Sequence, residues 1–144
     1  MHRDLKLANI LISADNSLRV IDFGLAFVIP KLPRPYFKEV VGSLLFMAPE
    51  IIKEQGAETC YTHAVDIWSL GVMMYYLLAG TSPFRGDTDE EFSDSIKNDL
   101  INFRKNERIA KSSDQARDLI EKMCEKNPID RISTEQALTH PFFA

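Results

Sequence analysis

The chain has 144 residues, 45% of them hydrophobic and 26% charged, with a net charge of −4. That balance suits one soluble globular domain and excludes a disordered tail, a collagenous chain or a linker as its main character. An acidic chain also lacks the basic footprint of a nucleic-acid binder.

The two cysteines, Cys60 and Cys124, make no disulfide or metal framework, and Cys124 reads as a core residue on a helix. His2, Arg3 and Asp4 follow Met1 at once, so no secretory signal is read at the start. The longest apolar stretch, residues 67–79, is interrupted by Ser69 and Gly71 and falls short of the ~18–20 residues a bilayer span needs. The expectation is a soluble, intracellular, cytoplasmic protein without a membrane span.

In chain order, residues 9–13 (NILIS) and 18–22 (LRVID) are short, partly β-branched apolar runs around the turn-forming ADNS of residues 14–17. They predict a β-hairpin whose outer ends bring residues 4–9 and 22–24 to one edge. Residues 25–41 show no period, and Pro30, Pro33 and Pro35 forbid a regular helix there. Such a long loop is often functional, though a tolerated insertion would look the same.

Residues 48–55 predict a short helix. Thr62 is placed as N-cap of a helix running to Ala79, with Gly80 as its stop. From Ile67 onward that helix is apolar almost all round, which belongs inside a larger domain. Phe92, Ile96 and Leu100 recur every four residues as the stripe of a third helix. Asp87, Asp89, Glu90, Glu91, Asp94 and Asp99 fill its solvated faces. Ser113 caps a fourth helix carrying Ala116, Leu119, Ile120, Met123 and Cys124 on one face. Ser133 and Gln136 form the capping box of a last short helix, closed by Pro141. The fold class is mainly α with a small β-hairpin.

Asp4, Asn9 and Asp22 fall at the hairpin's outer edge, with Lys6 in the same loop. Hard oxygen donors of this kind suit magnesium held by one or two carboxylates plus substrate phosphates. A lysine and a spare carboxylate complete what phosphoryl transfer needs: charge stabilisation and an oriented hydroxyl. The same letters also occur as ordinary turn residues.

The exact strings go further. His2-Arg3-Asp4-Leu5-Lys6-Leu7-Ala8-Asn9 matches the pattern H-R-D-L-x-x-x-N, followed by Asp22-Phe23-Gly24 and Ala48-Pro49-Glu50. Asp66-Ile67-Trp68-Ser69-Leu70-Gly71 and Arg131 follow in order. Over essentially its whole length the chain resembles the C-terminal half of a eukaryotic protein kinase domain.

The resemblance implies a partial kinase domain over residues 1–144, the large lobe without its N-terminal lobe, with an activation segment over residues 22–50. It implies ATP and Mg2+ as cofactors and a protein substrate. Asp4 would be the catalytic base, Lys6 a γ-phosphate contact, and Asn9 and Asp22 the magnesium ligands. Leu11 would lie under the adenine, in the family's catalytic spine with Met73 and Leu77; His2 and Phe23 match its regulatory spine. Arg3, Glu39 and Ser43 fall in the activation machinery, where Arg3 would pair with a negative group. Glu50 and Arg131 resemble a buried structural ion pair, and Asp66 a receiver of catalytic-loop backbone hydrogen bonds.

Lys6, two residues after Asp4, is the serine/threonine form. The strings 80–84 (GTSPF), 127–133 (NPIDRIS) and 140–143 (HPFF) look most like calcium/calmodulin-regulated and calcium-dependent kinases, which implies regulation of that type by segments outside this one. Leu7-Ala8 replaces the family's usual Pro-Glu, so an arginine preference in the substrate does not carry over. Phe46 replaces a common Tyr. No Ser or Thr lies between Gly24 and Ser43; Tyr36 is the one hydroxyl, and Glu39 stands where an activating threonine often lies. The Gly-rich loop, its lysine and the lysine's glutamate partner are not in this sequence. Two readings therefore stand, a serine/threonine kinase whose fragment is inactive alone and a non-catalytic binding or dominant-negative lobe; against a third, a pseudokinase scaffold, speak the intact Asp4, Asn9 and Asp22.

Overall fold

The computed structural model describes residues 1–30, 37, 40–52 and 61–144. The hairpin forms as expected, with β1 (Ile10–Ile12) antiparallel to β2 (Leu18–Val20) and Leu11 opposite Arg19. Its turn is built by local polar chemistry. Asn16 takes a left-handed φ of 61°, which Asn tolerates better than most residues. Asp15 accepts from both the backbone and the hydroxyl of Ser17, at 3.2 and 2.8 Å.

Helix α1 (Ala64–Ala79) is the axis of the molecule. Gly80 ends it in the left-handed conformation, φ 74°, where its N–H reaches the Tyr76 carbonyl; glycine has no Cβ to oppose this. The N-cap position falls on His63 rather than Thr62. The first turn is tight, with Val65 and Asp66 bonded three residues back, and the Thr62 hydroxyl accepts from Ala64 N–H at 3.3 Å. Over residues 48–52 the chain makes a turn closed by Ile51 N–H on the Ala48 carbonyl, not a helix. The rest of that expected helix, and Tyr36, Glu39 and Cys60, lie outside the described residues.

Helix α2 (Asp89–Asn98) is capped by Thr88 and carries three acids in its first turn, where the helix dipole favours them. Phe92 and Ile96 pack inward, but Leu100 does not continue the stripe: the helix ends at Asn98 and Leu100 is 86% exposed. Helix α3 (Glu107–Ala110), capped by Asn106, was not foreseen. Its four residues are too few to show a period. Helices α4 (Asp114–Met123) and α5 (Thr134–Leu138) begin on the expected caps, Ser113 and Ser133, the latter with both capping-box bonds to Gln136. Pro141 opens a 3₁₀ turn, Pro141–Phe143.

The core lies between these helices. Trp68 and Val72 of α1 and Ile120 of α4 are fully enclosed, with Phe84, Ile96 and Ile109 around them. Gly71 lets α1 and α4 approach: a Cβ there would lie 2.7 Å from Cys124 Sγ and 2.8 Å from Met123 Cβ. Burial pushes the Cys124 thiol up to about 12. Among the described residues, no helix is long and apolar enough to cross a membrane.

Candidate active site

One more rung beyond the hairpin, Ile21 N–H to the Asn9 carbonyl at 3.0 Å, holds the start of the chain against the residues after β2. A 3₁₀ turn, Leu7–Asn9, leads from the loop into β1. This arrangement brings Asp4, Lys6 and Asn9 together and sets Asp22 beside the same edge.

Asp4 is the centre of a closed network. Its Oδ2 accepts from Lys6 Nζ at 2.7 Å, and its Oδ1 from the Ser43 backbone N–H at 2.8 Å. Lys6 Nζ also donates to Ser43 Oγ at 3.0 Å. Asn9 Nδ2 donates to the Asp4 carbonyl at 2.9 Å and more weakly to its carboxylate. Burial pushes the Asp4 carboxyl up, but the bonds from Lys6 and Ser43 outweigh it and hold the group below the ordinary aspartate value. At neutral pH it is an anion poised to accept a hydrogen bond.

Ser43 reaches Asp4 because Gly42 precedes it. Gly42 has φ 107°, and a Cβ would lie 2.5 Å from the Arg3 carbonyl, so only glycine fits. The loop itself hangs from α1: Asp66 accepts from the backbone N–H groups of His2 and Arg3 at 2.7 and 2.9 Å. Arg3 adopts φ 70°, a strained value for a side-chain-bearing residue that its two-sided anchoring supports. His2 Nδ1 accepts from Asp4 N–H, so its Nε2 carries the proton and donates to the Ile21 carbonyl at 3.1 Å. The His2 and Phe23 rings lie 4.9 Å apart.

Asp22 is exposed, with φ 62°, and its Oδ1 accepts from Gly24 N–H at 3.3 Å. Met73 is buried in α1, whereas Leu11 is about half exposed and Leu77 largely open to solvent. Away from the loop, Arg131 clasps Glu50 with two bonds of 2.7 and 2.9 Å and also donates to the Ala64 and Glu125 carbonyls. Its guanidinium lies over the Trp68 ring.

Two features went unread in the sequence. Ser69, read there as an interruption of an apolar run and as one letter of the Asp66–Gly71 string but given no contact, donates to the Phe46 carbonyl at 2.7 Å and ties the segment after Ser43 to α1. Phe27, Phe37 and Tyr61 gather at the Arg3 side chain. A polar residue on an all-apolar helix was the available signal for the first; nothing local signals the second.

Residues 1–143 match the family model described as protein kinase domain. The chain belongs to the protein kinase family. It is 41% identical over 145 aligned positions to calcium-dependent protein kinase 21 of Oryza sativa subsp. japonica, covering 99% of this chain and 24% of that protein. It is 40% identical to calcium-dependent protein kinase 25 of Arabidopsis thaliana, covering 99% and 26%. Within the family it is thus related to the calcium-dependent group of serine/threonine kinases, and it spans about a quarter of the length of these relatives.

Proposed function

We propose that this kinase-domain segment is the large C-terminal lobe of a serine/threonine kinase that transfers the γ-phosphate of ATP to a protein hydroxyl. The observation that carries the reading is the Asp4–Lys6–Ser43–Asn9 network. A carboxylate kept ionised and fixed on two sides can accept a hydrogen bond from an incoming serine or threonine hydroxyl and align it with the phosphoryl group. Lys6, already aimed at the same point, supplies positive charge to the γ-phosphate.

The donor set fits a magnesium–nucleotide complex. Asn9 spends its Nδ2 on Asp4, leaving a hard carbonyl oxygen, and the exposed Asp22 carboxylate stands on the neighbouring strand end. When bound there, magnesium supplies charge against the phosphate oxygens. Leu11, exposed on β1, offers an apolar face to the adenine. On this reading Ser43 belongs to the activation segment of residues 22–50, and Arg3 is the catalytic-loop residue that faces it. Glu39 is its candidate built-in negative charge, while Glu50, Arg131 and Asp66 brace the segment and loop. Calcium-type regulation, as named in the relatives, would act through segments outside this one.

Alone, residues 1–144 should show little turnover, because positioning supplies most of phosphoryl-transfer catalysis and the exposed Leu11, Val20, Phe23 and Leu77 leave the nucleotide side open. The test is the full-length protein against a mixed peptide library with MgATP. Transfer to serine or threonine, abolished by Asp22→Asn together with magnesium-dependent nucleotide binding, is expected. Nucleotide binding without transfer would favour the non-catalytic module instead.

A further inference from the structure

The guanidinium of Arg3 lies over two rings of a row of three, Phe27 and Phe37, and meets the third, Tyr61, at its hydroxyl. Phe27 and Phe37 meet edge to face with centroids 5.2 Å apart, and Phe37 stacks on Tyr61 at 4.3 Å. Arg3 Cζ sits 5.6 Å from the Phe27 centroid and 5.4 Å from that of Phe37. Its Nε–H donates to the Leu25 carbonyl at 2.5 Å, and Nη1 reaches the Tyr61 hydroxyl at 3.4 Å. The ion pairs of the described residues do not include Arg3.

A planar, weakly hydrated guanidinium is suited to ring faces, and the attraction grows as water is removed. Here water is excluded from one side, where Phe37 and Tyr61 are both buried, while Arg3 and Phe27 are half-buried. The backbone of Arg3 is fixed separately by Asp66, and its φ of 70° sets the turn that presents Asp4. Holding the Arg3 side chain therefore fixes the other side of that strained turn.

We infer that Phe27, Phe37 and Tyr61 form a positioning clamp: they hold Arg3, and through it Asp4, by ring faces and neutral oxygens. The inference rests on the reading of Asp4 as the group that orients the acceptor hydroxyl. Phe37 and Arg3 are positioning residues in this scheme, acting through the turn that carries Asp4. Displacing a reacting group by about 1 Å can cost on the order of 100-fold in rate, and a loosened clamp should cost part of that.

The experiment uses the full-length protein and the variants Phe37→Leu, Phe37→Tyr, Phe27→Leu and Arg3→Lys. Phe37→Leu should lower kcat about 10-fold and leave KM for MgATP within about twofold, whereas Phe37→Tyr, which keeps the ring, should retain the parent kcat. With Nε-labelled arginine, the parent should show one Nε–H resonance shifted upfield by the rings. That resonance should vanish in Arg3→Lys and move in Phe37→Leu. If Phe37→Leu does not fold, Phe27→Leu and the parent spectrum carry the test. Unchanged kcat in both leucine variants would overturn the positioning role. A parent spectrum without a ring-shifted Arg3 resonance would overturn the clamp. A ring-shifted resonance in a parent without kinase activity would support the clamp and overturn the kinase reading.

Discussion

Trp68, Val72 and Ile120 are fully enclosed between α1 and α4, whereas Ile12 and Leu18, cross-strand partners in the hairpin, are 73% and 70% exposed. Both regions are rich in apolar side chains. The helical region closes on itself because α1 is flanked by α3, α4 and the turn at Leu44–Phe46, which supply complementary faces. The hairpin has two three-residue strands and, among the described residues, no layer covering them, and two strands alone bury little. The candidate site sits at the seam, hung from the rigid region through Asp66 and open on the hairpin side. The difference teaches that site geometry here is inherited from α1 rather than from the strands that carry the residues.

The sharpest way to break that comparison is at Asp4. In the full-length protein, Asp4→Asn should cut kcat by about 10²–10⁴-fold while magnesium-dependent nucleotide binding and the thermal midpoint stay near the parent's. Loss of fold or of nucleotide affinity would mean the seam is structural. Next in size is Arg131→Met, which takes a buried guanidinium from the half-buried Glu50 and from the Ala64 and Glu125 carbonyls. Removing one partner of a fully buried pair costs about 3–5 kcal/mol, so this change should fall at or below the lower end of that range, read as a lower urea midpoint.

A matched pair of smaller changes probes the two regions directly. Gly71→Ala forces a Cβ into Cys124 and Met123 and should destabilise by about 1–3 kcal/mol. Leu18→Ser, on the exposed strand, should stay within about 0.5 kcal/mol. Equal effects in urea titration would erase the contrast.

The smallest effect is electrostatic. The Asp4 carboxyl is lowered in the fold, so its contribution is fully present above the unfolded value of 3.8 and is lost as pH falls through the lower folded one. An acid limb of kcat/KM due to this group should therefore lie below 3.8; a limb near neutrality that disappears in Asp4→Asn would contradict the assignment.

Much of the molecule was legible before any coordinates. The turn of the hairpin at Ser13–Ser17, the stop at Gly80 and the caps at Ser113 and Ser133 depend on residues within four positions of one another, and such signals survive in any context. The order of the motifs pointed to the family. Helix boundaries were less legible. Leu100 fits the stripe of α2 by spacing, yet the helix ends at Asn98, where Asp99 turns extended and bonds Ser95 instead.

By itself, then, the sequence determined which residues could do chemistry and which local turns would form, because both are written in short windows. Tertiary structure alone decided how they meet. Asp66 reaches the backbone of residues more than sixty positions earlier, and Arg131 reaches Glu50 across eighty-one. Phe27 and Phe37, thirty-odd residues or fewer beyond Arg3, and Tyr61 behind Phe37 meet at its side chain only in the folded chain. Contacts of that range depend on packing the whole chain at once, and no local pattern of propensity or spacing encodes them.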